Sequence, residues 1–157
     1  MNQAAVSEVR SVLIPLGDRQ LLLPNAMVAE VMGYQPPEPV ADQPAWYLGD
    51  MAWRGVLIPV VSFEAMLGGE VVSPGHRGRI AIMNALGGNP RLSHFGVVVQ
   101  AIPSLVRVSV ENVLPMPEEK ADSDPLIRQA VELDLNPAYI PDIDEIERRL
   151  QEVVSKL

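Results

Sequence analysis

The chain reads as a mainly β domain with one helix at its C-terminal end, and three observations predict that class. Fifteen prolines and eleven glycines cut the 157 residues into pieces too short for many helices. Valine and isoleucine dominate the pieces between, as strands require. Residues 142–157 carry a helical stripe, with Ile143, Ile146, Leu150, Val153 and Leu157 recurring at spacings of three and four.

The elements follow in order. Residues 1–10 form a loose polar lead, and residues 11–157 make a single domain. Ser11 to Leu16 and Gln20 to Leu23 are strands joined by the turn signal Gly17-Asp18, which makes a hairpin. Asn25 could cap a helical turn running to Met32, or the same residues could form an irregular strand; Gly33 ends either version. Residues 35–45, with Pro36, Pro37, Pro39 and Pro44, are an extended connector. Trp46 to Met51 is a short strand.

The stretch Trp53-Arg54-Gly55-Val56-Leu57-Ile58-Pro59-Val60-Val61 organises the rest. Its consecutive aliphatic residues predict a strand covered on both faces. Pro59 cannot donate to a ladder, so the strand lies at an edge or kinks there. Gly55 predicts a bulge or a close backbone approach. Arg54 is the charge at the mouth of this run, where it snorkels to water or finds a carboxylate.

Phe63 to Leu67 is one helical turn stopped by Gly68-Gly69, and residues 70–78 are a loop. Arg79 to Ala85 and Phe95 to Val99 are strands around the turn Gly87-Gly88-Asn89-Pro90. Leu105 to Val110 alternates as a half-buried strand does. Residues 115–125 form an acidic solvated loop. Leu126 to Leu135 fits helix or strand, and Ala138 to Pro141 is extended. The last helix starts on a capping-box pattern, Asp142 with Glu145. Asp144–Arg148, Glu145–Arg149 and Glu152–Lys156 are four-apart pairs worth about 0.3 kcal/mol each.

Composition narrows the function. The net charge is -8 with no basic cluster, which argues against nucleic acid and anionic membrane as partners. There is no cysteine, so disulfide and thiolate chemistry are excluded. Residues 1–10 lack a secretory pattern and no apolar run is long enough to span a bilayer, which makes the cytoplasm the expected location. Two histidines, His76 and His94, show no metal-ligand spacing, so no metal is expected. Asp142, Asp144, Glu145 and Glu147 are read as cap and dipole partners of a helix start rather than as a carboxylate site. Pro74 to Arg79 could touch an anion but matches a surface loop. No base, nucleophile and oxyanion site assemble, so neither catalysis nor a cofactor is expected. Trp46 and Trp53 near Arg54 are either core anchors or members of a binding hot spot.

The run Leu48-Gly49-Asp50-Met51-Ala52-Trp53-Arg54-Gly55-Val56-Leu57-Ile58-Pro59-Val60-Val61-Ser62-Phe63 resembles the signature segment of CheW-like domains, the adaptors of bacterial chemosensory arrays. Val28-Ala29-Glu30-Val31 is similar to the family's Val-x-Glu-Ile. Phe95 to Val99 with Ile102, and Leu105 to Val108, resemble its later strands. The resemblance implies two packed, five-stranded SH3-like barrels and no catalysis. It implies that a chemosensory histidine kinase's regulatory domain and a chemoreceptor's cytoplasmic tip are the partners. Glu30 and Arg54 match a family pair at the receptor-binding groove, against which stands the plain reading of a surface ion pair. The expected partner-binding residues are Glu30, Val31, Trp53, Arg54, Val97 and Val99. Ala52, Ser62 and Gln100 depart from the family's asparagine and two aspartates. With the tail Tyr139-Ile140-Pro141-Asp142, they resemble the divergent branch of type IV pilus, or twitching motility, systems. The rival expectations are a small molecule or substrate held in a cleft between the barrels, and a filament-associated structural protein.

Overall fold

The computed structural model describes residues 8–17, 19–117 and 124–154. Its elements are β1 (Val9–Pro15), β2 (Gln20–Pro24), β3 (Val28–Gly33), β4 (Tyr47–Trp53), β5 (Val56–Val61), α1 (Phe63–Met66), β6 (Arg79–Asn84), β7 (His94–Val99), β8 (Ser104–Val108), β9 (Val113–Pro115), β10 (Ile127–Leu133), β11 (Asn136–Pro141) and α2 (Ile143–Val154). Asp18 of the first turn, residues 118–123 of the acidic loop, and the Glu152–Lys156 pair with Leu157 lie outside the described residues.

The strands curl into two sheets. One runs β8-β1-β2-β11-β10-β9 and the other β3-β6-β7-β5-β4. The second is built from one contiguous segment and is called here the inserted barrel. The first, the terminal barrel, joins both ends of the chain through the parallel pairing of β2 with β11 at Leu21 and Tyr139. Its sixth strand, beyond the expected five, is the three-residue β9 against β10.

Alternation along the strands produces three apolar layers. Val60, Ile80, Ile82, Val98, Ile58 and Met51 fill the inserted barrel. Leu22, Val131, Leu133 and Ala138 fill the terminal barrel. Between them lies the largest layer. Val12, Ile14, Leu21 and Leu23 from β1 and β2 meet Ala81, Met83, Phe95, Val97 and Val99 from β6 and β7, and Ile146 and Leu150 of α2 pack against both.

Several local expectations change. β1 begins at Val9, inside the stretch read as a loose lead. Asn25 caps nothing: residues 25–27 form a short 3-10 turn entered from Pro24, and β3 follows at once. The segment 126–135, left open between helix and strand, contains β10, paired with β11 and β9. β5 is covered from Ile58 onward only, because Val56 and Leu57 stand exposed at a hairpin tip. It is an inner strand, yet Pro59 fits. Its partner Asp50 gives both backbone groups to Glu38, so Asp50 and Pro59 exchange no ladder bond. Pairing with β7 starts at Val60, one residue later.

α1 is the single turn expected, capped by Ser62, whose hydroxyl accepts from the Ala65 amide. At α2, Asp142 caps the Glu145 amide, but Glu145 does not reach back, because the Asp142 amide goes to the Leu126 carbonyl. Glu145 instead accepts from Arg148 and Arg149, and Arg148 also meets Glu152 in place of the expected Asp144. Those two guanidinium donors hold the Glu145 carboxyl down at about 2, against an ordinary 4.5. Glu147 is no dipole partner. It is buried and accepts the amides of Leu86 at 2.9 Å and Gly87 at 2.7 Å, strapping the β6–β7 loop to the helix.

Candidate functional site

The site lies at one end of the inserted barrel and begins with a bulge. Along β3, Val28 pairs with Met83 but Glu30 pairs with Ile82, so Ala29 is the extra residue. That single insertion turns Glu30 from the inter-barrel face to the face that Ile82 shares, which points into the barrel. Without it, Glu30 would fall opposite Ala81 in the central layer.

The second component is a turn. β4 and β5 are joined by Arg54-Gly55 alone, with Trp53 opposite Val56. Both turn residues have positive φ, 49° at Arg54 and 79° at Gly55. This is the two-residue hairpin geometry whose twist matches the flanking strands. The bulge or close approach expected at Gly55 is therefore replaced by a turn, and a Cβ there would meet no atom within 4 Å. The glycine answers to its backbone angle. Arginine is not a favoured residue in the left-handed region, and strain of this kind collects at functional sites.

Trp53, Arg54 and Glu30 converge on one oxygen. Glu30 Oε1 accepts from Trp53 Nε1 at 3.2 Å and from Arg54 Nη2 at 3.1 Å. The Arg54 guanidinium also lies 4.6 Å from the centre of the Trp53 ring, and the His94 ring lies 4.5 Å from it. The indole is buried, while the Arg54 side chain is 69% and the Glu30 side chain 39% exposed. An ion pair so open to water contributes at most about 1 kcal/mol. Its effect is geometric. It ties the two outer strands of the sheet together and holds a cation at a fixed place on the surface.

The other end of the same seam is closed by backbone. Glu38 of the proline-rich connector exchanges two hydrogen bonds with Asp50 of β4, at 2.8 and 2.9 Å. Gly49 makes this possible: its φ is 144°, and a Cβ there would sit 2.2 Å from the Glu38 carbonyl oxygen. Tyr47 donates to the Asp50 carboxylate, and burial together with that neighbour pushes its phenol well above the usual range.

The remaining expected residues separate. Val31 is on the exposed face of β3, 38% accessible. Val97 and Val99 are 4% and 0% exposed in the central layer. They cannot touch a partner without parting the two barrels, so their part is packing. Alternating valines look the same whether the covering surface is another sheet or another protein. His94 was not singled out for this site. Glu64, which accepts from the Gly17 amide at 3.1 Å and from Gln100 Nε2 at 3.3 Å, was missed as well. That contact explains one departure from the family pattern, since an aspartate at position 100 would set two carboxylates side by side. Ser62 explains another, because its hydroxyl supplies the helix cap that an aspartate would.

Among the described residues, no group of three or more His, Asp or Glu could hold a metal ion, and no helix is long and apolar enough to cross a membrane.

Comparison with known proteins gives a consistent result. The model of the CheW-like domain matches residues 10–151. The chain is 28% identical over 107 residues to the chemotaxis protein CheW of Rhizobium meliloti, covering 68% of this chain and 66% of that one. It is 27% identical over 107 residues to a probable chemotaxis protein CheW of Rhizobium etli, with the same two shares. The chain thus spans just under two thirds of the length of these curated relatives. Its fold is similar to the crystal structure of the scaffolding protein TtCheW from Thermoanaerobacter tengcongensis, with a TM-score of 0.73 and 19% identity, covering 87% of this chain and 90% of that one. With its two packed sheets, its terminal helix and a family match running from β1 into α2, this chain belongs to the CheW-like domain family.

Proposed function

We propose that this chain is a non-catalytic adaptor of a chemosensory signalling system. It acts in the cytoplasm and holds a chemoreceptor's cytoplasmic tip together with a histidine kinase's regulatory domain. The carrying observation is the Glu30–Trp53–Arg54 cluster: a cation held on a tight hairpin, seated on a buried indole, and open to water on its outer side. Such a group recognises a surface and does no bond-making chemistry. The chemotaxis names of the relatives support the reading, as do Val31, Val56 and Leu57, which leave apolar surface exposed on the strands of this barrel.

The test is calorimetry of the full chain with the two candidate partners, a receptor-tip fragment and the kinase regulatory domain. Arg54→Ala weakens one partner roughly tenfold, a loss of about 1.4 kcal/mol. It leaves the thermal melt within about 1 kcal/mol of the parent. Unchanged binding to both partners, or a collapsed melt, would reduce the cluster to a structural clasp. The finer reading, membership of the pilus-linked branch, rests on the departures at Ala52, Ser62 and Gln100. It is tested by comparing receptor tips of the two system types in the same titration.

A further inference from the structure

A second surface lies on the terminal barrel, away from the Arg54 hairpin. β8 is the outer strand of its sheet and pairs with β1 alone among the described strands. Its register sets Arg107 directly opposite Arg10, and both are exposed.

The bond pattern brings these two guanidinium groups close. The Leu16 amide bonds the Arg19 carbonyl, so in the β1–β2 ladder Ile14 and Val12 turn their backbone groups toward β2. The Pro15 carbonyl turns the other way, to the Gln100 amide. By alternation Leu13, Ser11 and Val9 face β8, whereas Val12–Leu105 and Arg10–Arg107 are pairs without ladder bonds. That is the closer kind of pair, with Cα atoms about 4.5 Å apart. Like charges placed so are destabilising. Among the described residues neither guanidinium has a hydrogen-bond or ion-pair partner, in a chain whose net charge is -8.

The same alternation turns the backbone groups of Leu105 and Arg107 outward. The Arg107 carbonyl is taken by the Asn112 side chain at 2.8 Å, which confirms the direction. Leu105 itself is 76% exposed, and a groove of about 370 Å³ lined by Arg10, Ser11, Asn25, Leu105, Val106 and Arg107 lies over the β8–β1 pair, inward of the free edge.

We propose that this edge takes an extended acidic segment of a partner polypeptide as an added strand. A carboxylate meets Arg107, with the Arg10 charge one strand further in, and an apolar residue covers Leu105. Main-chain bonds form to the Leu105 amide and carbonyl and the Arg107 amide, since Asn112 already holds the Arg107 carbonyl. A second copy of this chain fits poorly. Antiparallel pairing of two β8 strands about Val106 crowds the arginine pairs of both copies on one face. This surface is independent of the Arg54 site and of the adaptor reading.

The test uses a fluorescein-labelled peptide, Ser-Glu-Thr-Ile-Thr-Glu-Ser, which as a strand presents Glu, Ile and Glu on one face. It is titrated by fluorescence anisotropy against the full chain, beside the counterpart with lysine in place of glutamate. The acidic peptide binds saturably, more weakly as salt rises, and the basic one does not. Leu105→Pro removes an outward amide and no bond to β1, so it keeps the thermal melt while weakening the acidic peptide at least about tenfold. Arg107→Glu reverses the preference toward the lysine peptide, and this result decides the matter if the proline variant does not fold. Equal binding of the two peptides, no saturable binding of the acidic one, or a folded Leu105→Pro variant with parental affinity would overturn the proposal.

Discussion

The two barrels of this molecule are closed in different ways, and the one with fewer strands is the better sealed. In the inserted barrel Val60, Ile80 and Ile82 are each fully buried, and the seam between β3 and β4 is fastened at both ends. One fastening is the Glu38–Asp50 backbone bridge, and the other is Glu30 with Trp53 and Arg54. In the terminal barrel the outer strands β8 and β9 are joined by the turn at residues 109–112 and no ladder pairs them. Around its four buried interior residues stand Leu13, Val106, Val108, Val113 and Ile140, all only half-buried. A cleft of about 740 Å³ opens beside Leu13, Leu133 and Tyr139. Closure therefore depends on what is done at the seam rather than on strand number. The candidate surfaces follow the same division. The closed seam displays a fixed cation, and the open one leaves a strand edge free.

Core truncation separates the barrels most sharply. Ile82→Ala lies in the sealed interior and is expected to cost about 3–4 kcal/mol, whereas Val108→Ala on the open side costs less than about 1 kcal/mol. Equal losses in chemical denaturation would show that the terminal interior is as tightly packed as the other.

Gly49→Ala attacks the backbone fastening. The new methyl meets the Glu38 carbonyl and the residue keeps a φ that L side chains avoid, so a loss of about 2–3 kcal/mol is expected. Exchange of the Asp50 amide with deuterium should accelerate more than that of the Leu126 amide, and equal acceleration would mean that the bridge is not local.

Arg107→Thr acts on the open side with the opposite sign. Relieving the cross-strand repulsion should raise stability by about 0.5 kcal/mol at low salt, less as salt increases. A destabilised variant would show that the arginine pair has a partner.

The smallest effect concerns α2, which packs between the barrels. Glu145 has a depressed carboxyl pKa in the folded chain, so its contribution is present above about 4.5 and is lost as pH falls through about 2. The Glu145 side chain is 19% exposed but its partner Arg148 is 56% exposed, and solvent screening of such a surface pair limits this to about 1 kcal/mol. Glu145→Gln should lower the melt slightly at neutral pH, leave it unchanged near pH 2, and so flatten its pH dependence over that window.

Much of the architecture was legible from local pattern. The first hairpin, the single turn α1, the strands around residues 79–85 and 95–99, and the stripe of α2 with Asp142 as its cap all rest on interactions within a few residues, which composition and periodicity report directly. The pairing of Glu30 with Arg54 came through likeness to a family pattern. Its structural reason did not, because the extra residue at Ala29 is defined only by its partner strand. Glu147 carried a weak signal: it lies four residues after Ile143 and three before Leu150, inside the apolar stripe, where a carboxylate must find donors.

The chain's own order of residues settled most of the strands and the helix of residues 143–154, while residues 25–32 and 126–135 stayed open between helix and strand until their partner strands were known. It could not settle which valines are buried. Val56 and Val97 have the same side chain in similar runs, yet one stands at a hairpin tip and the other between two sheets. A strand's alternation assigns residues to two faces, and what covers each face is decided by segments far away in sequence: β2 against β11, β5 against β7, and the packing of one curled sheet on the other.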